Sequence, residues 1–245
     1  MKTKIYIFLL CFLYSFSLKA QYSQSTTAEF NTNTNINIST QNNELKLTPD
    51  LGTGADGDLY VAPGNTAYTD PVKTFITGTN SSGQNALQVS SSAGFSVGDE
   101  ILIITMQDNN TDLNTNIAGL YEFRRIITIL STALILDVNL TNTYNSVTGK
   151  QHQVIRVKNY NNVTLDYGAI LTCDGWNGST GGILCFRAKG TINIAALANI
   201  SAIGKGFLGG SSITVEGIGY QGQCLLGSGT QSGNYLLNRK LFLIL

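Results

Sequence analysis

Between residues 151 and 233 the carboxylates are Asp166, Asp174 and Glu216. The bases are Arg156, Lys158, Arg187, Lys189, Lys205 and the single histidine, His152. Acid–base chemistry on an extended sheet face calls for clustered carboxylates beside a base, often with Ca²⁺ holding an acidic sugar. That cluster is not written here. When residues 153–175 are laid over 182–204, Asp166 and Asp174 fall on Ala195 and Ile203, so no acid recurs. Arg187 does fall on Lys158. Two stacked cations form a short basic ladder suited to an acidic polysaccharide, although long cationic side chains also serve to blunt a sheet edge. Trp176 and Tyr220 lie in glycine-rich stretches, where an exposed ring can stack on a sugar and a buried one can cover a flank. Lys158, Arg187, Trp176 and Tyr220 are therefore the glycan-contact candidates.

The remaining motifs point to structure. His152 has no Ser, Cys or acid at useful spacing, so a surface position is expected. Asp56-Gly57-Asp58 opens like a Ca²⁺ loop, but no ligand series or distal Glu follows, which favours a glycine turn. Gly204-Lys205-Gly206 lacks the strand–helix setting of a phosphate loop. No CxxC or Cys/His pair marks a metal site. The sequence thus implies no catalytic residue, metal or cofactor.

The elements that must position these residues are short. The 29-residue offset that joins 153–175 to 182–204 matches apolar positions rather than identities: Val163 with Ile192, Leu165 with Ile194, Ala169 with Ala198, Leu171 with Ile200. Each unit holds three β-type runs separated by Asn, Gly or Lys turns, the pattern of one turn of a β-solenoid. One such turn cannot bury its own apolar face, so units must stack. Val163 should then lie beside Ile192, and Leu171 beside Ile200, in parallel strands with Ile192 facing the interior. Residues 212–215 fall 29 after 183–186, so a third unit begins there before dissolving into glycine-rich sequence.

Upstream, residues 100–106, 121–130 and 134–138 read as closely spaced strands. Ile101-Leu102-Ile103-Ile104 is apolar on both faces, as in a strand covered on both sides. In Ala93-Gly94-Phe95-Ser96-Val97-Gly98-Asp99, the glycines and Asp99 suit turns. Phe95 and Val97 should point the same way, to plug a small barrel or the end of the solenoid. No stretch after the N-terminus has sustained helical periodicity, so the class is all-β.

Residues 1–20 carry Lys2 and Lys4, an apolar run and Ala20, the layout of a secretory signal peptide too short to span a bilayer. Beyond residue 20 stand 12 Lys and Arg against 15 Asp and Glu, which excludes a basic field for nucleic acid. Cys173, Cys185 and Cys224 are an odd set, which favours buried free thiols. The expected organisation is a signal at 1–20 and a polar Asn/Thr-rich leader at 21–50, holding either a weak strand or none. A β-rich cap region follows at 51–150, stacked turns at 151–222, and then a glycine-rich stretch with an apolar tail outside the fold at 223–245.

Residues 93–103, the strand pair at 126–138, the stacked units, Trp176-Asn177-Gly178-Ser179-Thr180-Gly181-Gly182-Ile183 and the glycine-rich run at 204–210 carry a resemblance. They resemble the N-terminal part of right-handed parallel β-helix proteins of the pectate-lyase-like superfamily, and more narrowly secreted adhesin-like surface proteins of Gram-negative bacteria. The resemblance spans roughly residues 52–222. It implies a bacterial envelope or secreted location, extracellular polysaccharide as partner, no membrane span once the signal is removed, and a solenoid longer than this chain can build. Three functions remain open. One is a non-catalytic adhesin-like segment, another a piece of a polysaccharide lyase or hydrolase whose active turns lie elsewhere, and the third a carbohydrate-binding module.

Overall fold

The computed structural model describes residues 36–41, 44–108, 116–207, 223–224, 227–228 and 243–244. The signal stretch, Tyr220 and most of the apolar tail lie outside these residues. The chain is all β, with no helix among the described residues, and divides into two units, Met1–Asp50 and Leu51–Leu245.

In the first unit, the Ile36/Ile38 alternation forms β1 (Ile36–Gln41). It pairs antiparallel with β2 (Glu44–Pro49), from Ile36 opposite Pro49 to Gln41 opposite Glu44. The polar leader thus contains a strand pair.

The second unit begins with two three-residue strands, β3 (Leu59–Val61) and β4 (Thr66–Tyr68), and then builds a curled, half-barrel sheet. That sheet runs β5 (Lys73–Phe75), β10 (Lys150–Arg156), β7 (Glu100–Asp108), β8 (Tyr121–Leu130), β9 (Ala133–Leu136), β6 (Ala86–Gln88). Each neighbouring pair is antiparallel. The two edges come together at an isolated bridge between Ile76 and Val89.

Strand β7 is buried along its whole length, as its double-sided apolar run implies. Ile101 and Ile103 face an inner core with Leu87, Ile126, Leu134, Leu136 and Tyr144. Leu102, Ile104 and Met106 face a second core with Ile155, Val157, Trp176 and Ile183. The period-2 geometry of a strand thus joins two cores through one backbone. Phe95 enters the inner core, but Val97 is 65% exposed, so the two side chains part company. Asp99 makes the expected turn by accepting the Ser96 amide at 2.7 Å.

The rest of the unit is layered. Three rows of short parallel strands are β11 (Lys158–Tyr160) with β14 (Leu184–Ala188), β3–β12 (Val163–Leu165)–β15 (Ile192–Ile194), and β4–β13 (Ile170–Thr172)–β16 (Asn199–Ile200). Val163 lies beside Ile192 and Leu171 beside Ile200, the partners set by the 29-residue offset.

The first layer comes from elsewhere. Leu59 and Val61 pair with Val163 and Leu165, and Ala67 with Leu171, across 104 residues of sequence. Part of the stretch assigned above to a cap region therefore joins the stacked units, and the curled sheet is inserted between the first layer and the second. Val61, Val163, Leu165, Ala169, Leu171, Leu184 and Phe186 fill the interior. On the β3–β12–β15 row the third layer is the last among the described residues. Ile192 is 41% exposed there, not interior as the repeat implied, because no described strand follows on that row.

Three short strands complete the described set: β17 (Gln223–Cys224) pairs antiparallel with β18 (Gly227–Ser228), and β19 (Leu243–Ile244) runs parallel beside Leu184 and Cys185 of β14. The last pairing places two tail residues on a sheet, where the sequence had set the tail apart.

Candidate functional site

The basic ladder does not form. In the first row Lys158 pairs with Phe186, and Arg187 with Asn159, one residue out of step with the 29-residue offset. Neighbouring strand positions alternate faces, so this slip puts Lys158 and Arg187 on opposite sides.

Both cations are engaged at the junction between layers and curled sheet. Arg187 grips Glu100 at the start of β7: Nε lies 2.9 and 2.8 Å from Oε1 and Oε2, and Nη2 lies 2.6 Å from Oε1. Its guanidinium carbon stands 4.8 Å above the Phe123 ring. Asn159 donates to Glu100 at 3.0 Å and accepts the Thr53 amide at 3.1 Å. Arg156 reaches Asp99 at 2.7 Å and Asp56 at 2.8 Å, and Lys158 lies 3.3 Å from Asp56.

Asp56 thus belongs to an ion network rather than a Ca²⁺ loop. Burial pushes its carboxyl up, but the Asn159 amide and the Arg156 guanidinium outweigh burial and hold it below the ordinary value. The Arg187–Glu100 pair is bidentate, which fixes geometry as well as charge. The cluster is a latch between two parts of the fold.

Trp176 is also committed. It is 4% exposed, sits in the core shared with β7, and meets Phe207 edge-on at 5.8 Å. Its ring faces are covered, which removes it as a stacking platform in this conformation. Tyr220 lies outside the described residues. His152 is buried rather than superficial: Thr105 Oγ1 is 2.9 Å from Nδ1, Asn145 O is 3.1 Å from Nε2, and burial lowers its pKa. Both ring nitrogens therefore serve the sheet.

The exposed aromatic residues of the layered region are different ones. Tyr60 on β3 is 61% exposed, Tyr68 on β4 is 45% exposed, and Tyr167 after β12 is 57% exposed. Strand alternation explains the first two. With Val61 and Ala67 packed in the interior cluster, Tyr60 and Tyr68 must point out.

Tyr60 shares its row with Thr164 and Asn193, and Tyr68 stands beside Thr172. The Tyr60 hydroxyl donates to Asp166 Oδ2 at 2.8 Å, and the Tyr167 amide to Asp166 Oδ1 at 2.7 Å. These bonds raise the Tyr60 phenol and hold the Asp166 carboxyl below its usual range. Asp166 therefore ties the Tyr60 ring of the first layer to the turn backbone after β12 in the second.

At the next corner Lys73 bridges two carboxylates. Its Nζ is 2.6 Å from Asp174 Oδ2, and 3.3 Å from Asp70 Oδ2, which lacks a hydrogen bond of its own. Asp70 Oδ1 accepts the Asp174 amide at 2.9 Å. Burial raises the Asp70 pKa against the lowering effect of that amide and Lys73. The Asp174 side chain is 53% exposed, and Lys205 Nζ lies 5.6 Å from the Tyr68 ring centre. Hydroxyl, amide and ring surfaces with two fixed carboxylates can hydrogen-bond and stack on a polyol.

These residues were hidden in the sequence. Tyr60 and Tyr68 lie in a turn-rich stretch whose place beside residues 163–172 carries no local signal. No helix among the described residues is long and apolar enough to cross a membrane.

No family model matches the chain, and no curated protein matches it. Solved structures that share part of its course are phage tailspikes. One is the Gp54 tailspike of Acinetobacter baumannii bacteriophage AP22, in complex with A. baumannii capsular saccharide. It is 12% identical, covering 56% of this chain and 24% of that one, with a TM-score of 0.31. Another is tailspike gp49 of Pseudomonas phage LKA1, 13% identical over 45% of this chain and 22% of that one, with a TM-score of 0.30. The gp61 tailspike of Pseudomonas phage phi297 is 11% identical, covering 53% and 20%, with a TM-score of 0.28. The chain thus spans about a quarter or less of the length of each.

Proposed function

We propose that this chain is a segment of a right-handed parallel β-solenoid, secreted or held at the bacterial cell surface, that contacts extracellular glycan without turning it over. The observation that supports this most is the outward-facing side of the layered region, where Tyr60 stands in one row with Thr164 and Asn193, and Tyr167 and Tyr68 are exposed beyond it. The signal-like N-terminus supports the location. The engagement of Arg156, Lys158 and Arg187 with Asp56, Asp99 and Glu100 supports a structural role for the densest charge cluster.

The contact surface is assigned to the Tyr60–Asp166–Tyr167 group. Calorimetric titration of the full chain with acidic and neutral extracellular polysaccharides should give saturable binding to at least one class. Tyr60→Ala and Tyr167→Ala should each weaken it by roughly five- to tenfold, from about 1 kcal/mol per stacked ring. Saturable binding that both variants leave untouched would overturn the assignment, and no binding across both classes would overturn the function.

A lyase or hydrolase is the second reading. It rests on Asp174 and Asp70 straddling Lys73, two carboxylates in unlike environments. Polymer shortening abolished by Asp174→Asn would favour it over the non-catalytic reading.

A further inference from the structure

The register of β3 on β12 decides which charges surround the exposed Tyr60 ring. Val61, Val163 and Leu165 lie in the interior cluster, so Tyr60 and its row partner Thr164 point outward. Asp166 reaches the same side, where its Oδ2 accepts the Tyr60 hydroxyl at 2.8 Å. Asp58, two residues before Tyr60, is exposed at the entry to β3. One ring is thus bracketed by two carboxylates, with a neutral hydroxyl beside it.

Neither carboxylate draws on a cation. Asp58 Oδ1 accepts the Asn162 amide and the side-chain amides of Asn161 and Asn162, each at 3.0 Å. Asp166 accepts the Tyr60 hydroxyl and the Tyr167 amide. These donors are neutral and favour the ionised acid, so both carboxyls sit below their usual range. The ion pairs among the described residues all use other acids. Beyond Asp50, the described acids outside those pairs are Asp58, Asp137 and Asp166, and two of the three bracket Tyr60. A carboxylate accepts hydrogen bonds from sugar hydroxyls, but it repels the carboxylate of a uronic acid. In water, one such like-charged pair near contact is worth about fivefold in affinity.

We propose that the Tyr60 surface selects neutral glycan and rejects acidic glycan, with Asp58 and Asp166 as its specificity-determining residues. The Tyr60 ring stacks on an uncharged sugar, while the two acids take its hydroxyls and turn away a uronate. This inference rests on the glycan-contact function proposed above and narrows its ligand class. It reverses the acidic polysaccharide expected from Lys158 and Arg187, because both cations are spent on Asp56 and Glu100.

The test is calorimetric titration of the full chain with polygalacturonate, alginate and hyaluronan, each beside its carboxyl-reduced, neutral counterpart. At low salt, the polymer that binds should do so at least about fivefold more tightly in its neutral form. Salt at about 0.5 M should shrink that gap, since the repulsion is between exposed charges. The double variant Asp58→Asn, Asp166→Asn keeps the acceptor oxygens and removes both charges. It should bring the acidic form to within about twofold of the neutral one, with an unchanged circular dichroism spectrum. Equal binding of the two forms, or tighter binding of the acidic one, would overturn this selectivity and leave the glycan-contact function standing. A gap that survives in the double variant would remove Asp58 and Asp166 from the role. Binding to none of the polymers would overturn the function and the selectivity together.

Discussion

Glu100 is 5% exposed and depends on Arg187 and Asn159 for its partners. Removing Arg187 leaves that carboxylate buried with one amide donor, and breaking such a pair costs about 3 kcal/mol. Arg187→Ala should therefore lower the urea midpoint sharply. Arg187→Lys should recover only part of the loss, because an ammonium cannot match a carboxylate with two parallel bonds.

Asp56 sets a pH dependence. Its folded pKa lies below that of an ordinary aspartate, so its contribution is present at neutral pH and is lost as pH falls through the ordinary aspartate range and below it. Asp70 has the opposite sign. Its raised pKa favours the fold at low pH, and that contribution is lost as pH rises through the folded value. Asp56→Asn should consequently lose less stability than wild type between pH 7 and pH 3, as read by urea titration at both.

The thiols give a third check. Burial pushes Cys173 to about 11 and Cys185 to about 12, so both should resist alkylation at pH 8 in the native state and react on unfolding, as followed by peptide mass spectrometry. Lys158 and Arg187 were legible as cations, but Arg187's partner is 87 residues away, which residue types and local spacing do not reveal.

At the scale of elements, the turn after the second row shows what an inexact repeat costs. Gly64 and Gly168 take positive φ in the first two layers, and Leu197 takes φ 62° at the corresponding place in the third. An L-residue in this region costs roughly 1–2 kcal/mol, while glycine loses about 0.5–1 kcal/mol in backbone entropy. Leu197→Gly should thus raise stability slightly, by about 0.5 kcal/mol, with no packing lost from an exposed side chain. Leu171, by contrast, is fully buried between Ala67 and Ile200. Leu171→Ala should cost about 3 kcal/mol through lost burial and a residual cavity, read from the denaturant midpoint.

The parallel rows themselves were legible, because alternation in Val163-Thr164-Leu165 and Ile192-Asn193-Ile194 is a local signal that survives without identity. The one-residue slip in the first row was not. It arises where Arg187 turns to the curled sheet to meet Glu100, and pairing across separate parts of a fold outranks the repeat there.

For the whole molecule, the unforeseen feature is that residues 59–68 lie on the layers formed by 163–172, with the curled sheet inserted between them in sequence. Two units at a fixed offset announce themselves by similarity. A first layer separated from them by 104 residues does not: even the strand-like Leu59-Tyr60-Val61 run carries nothing that names its partner. That layer also brings Tyr60 and Tyr68 to the outer face, so the proposed function depends on it.

Its most direct test is a pair of cysteines at Tyr60 and Thr164, neighbours in the parallel register. Adjacent strands lie about 4.8 Å apart, within disulfide range. Tyr60→Cys with Thr164→Cys should form an intramolecular disulfide, seen as a linked peptide in non-reducing mass spectrometry, while Tyr60→Cys with the distant, exposed Val138→Cys should not. Free thiols in the first pair under the same oxidant, in a chain with an unchanged circular dichroism spectrum, would contradict the three-layer arrangement.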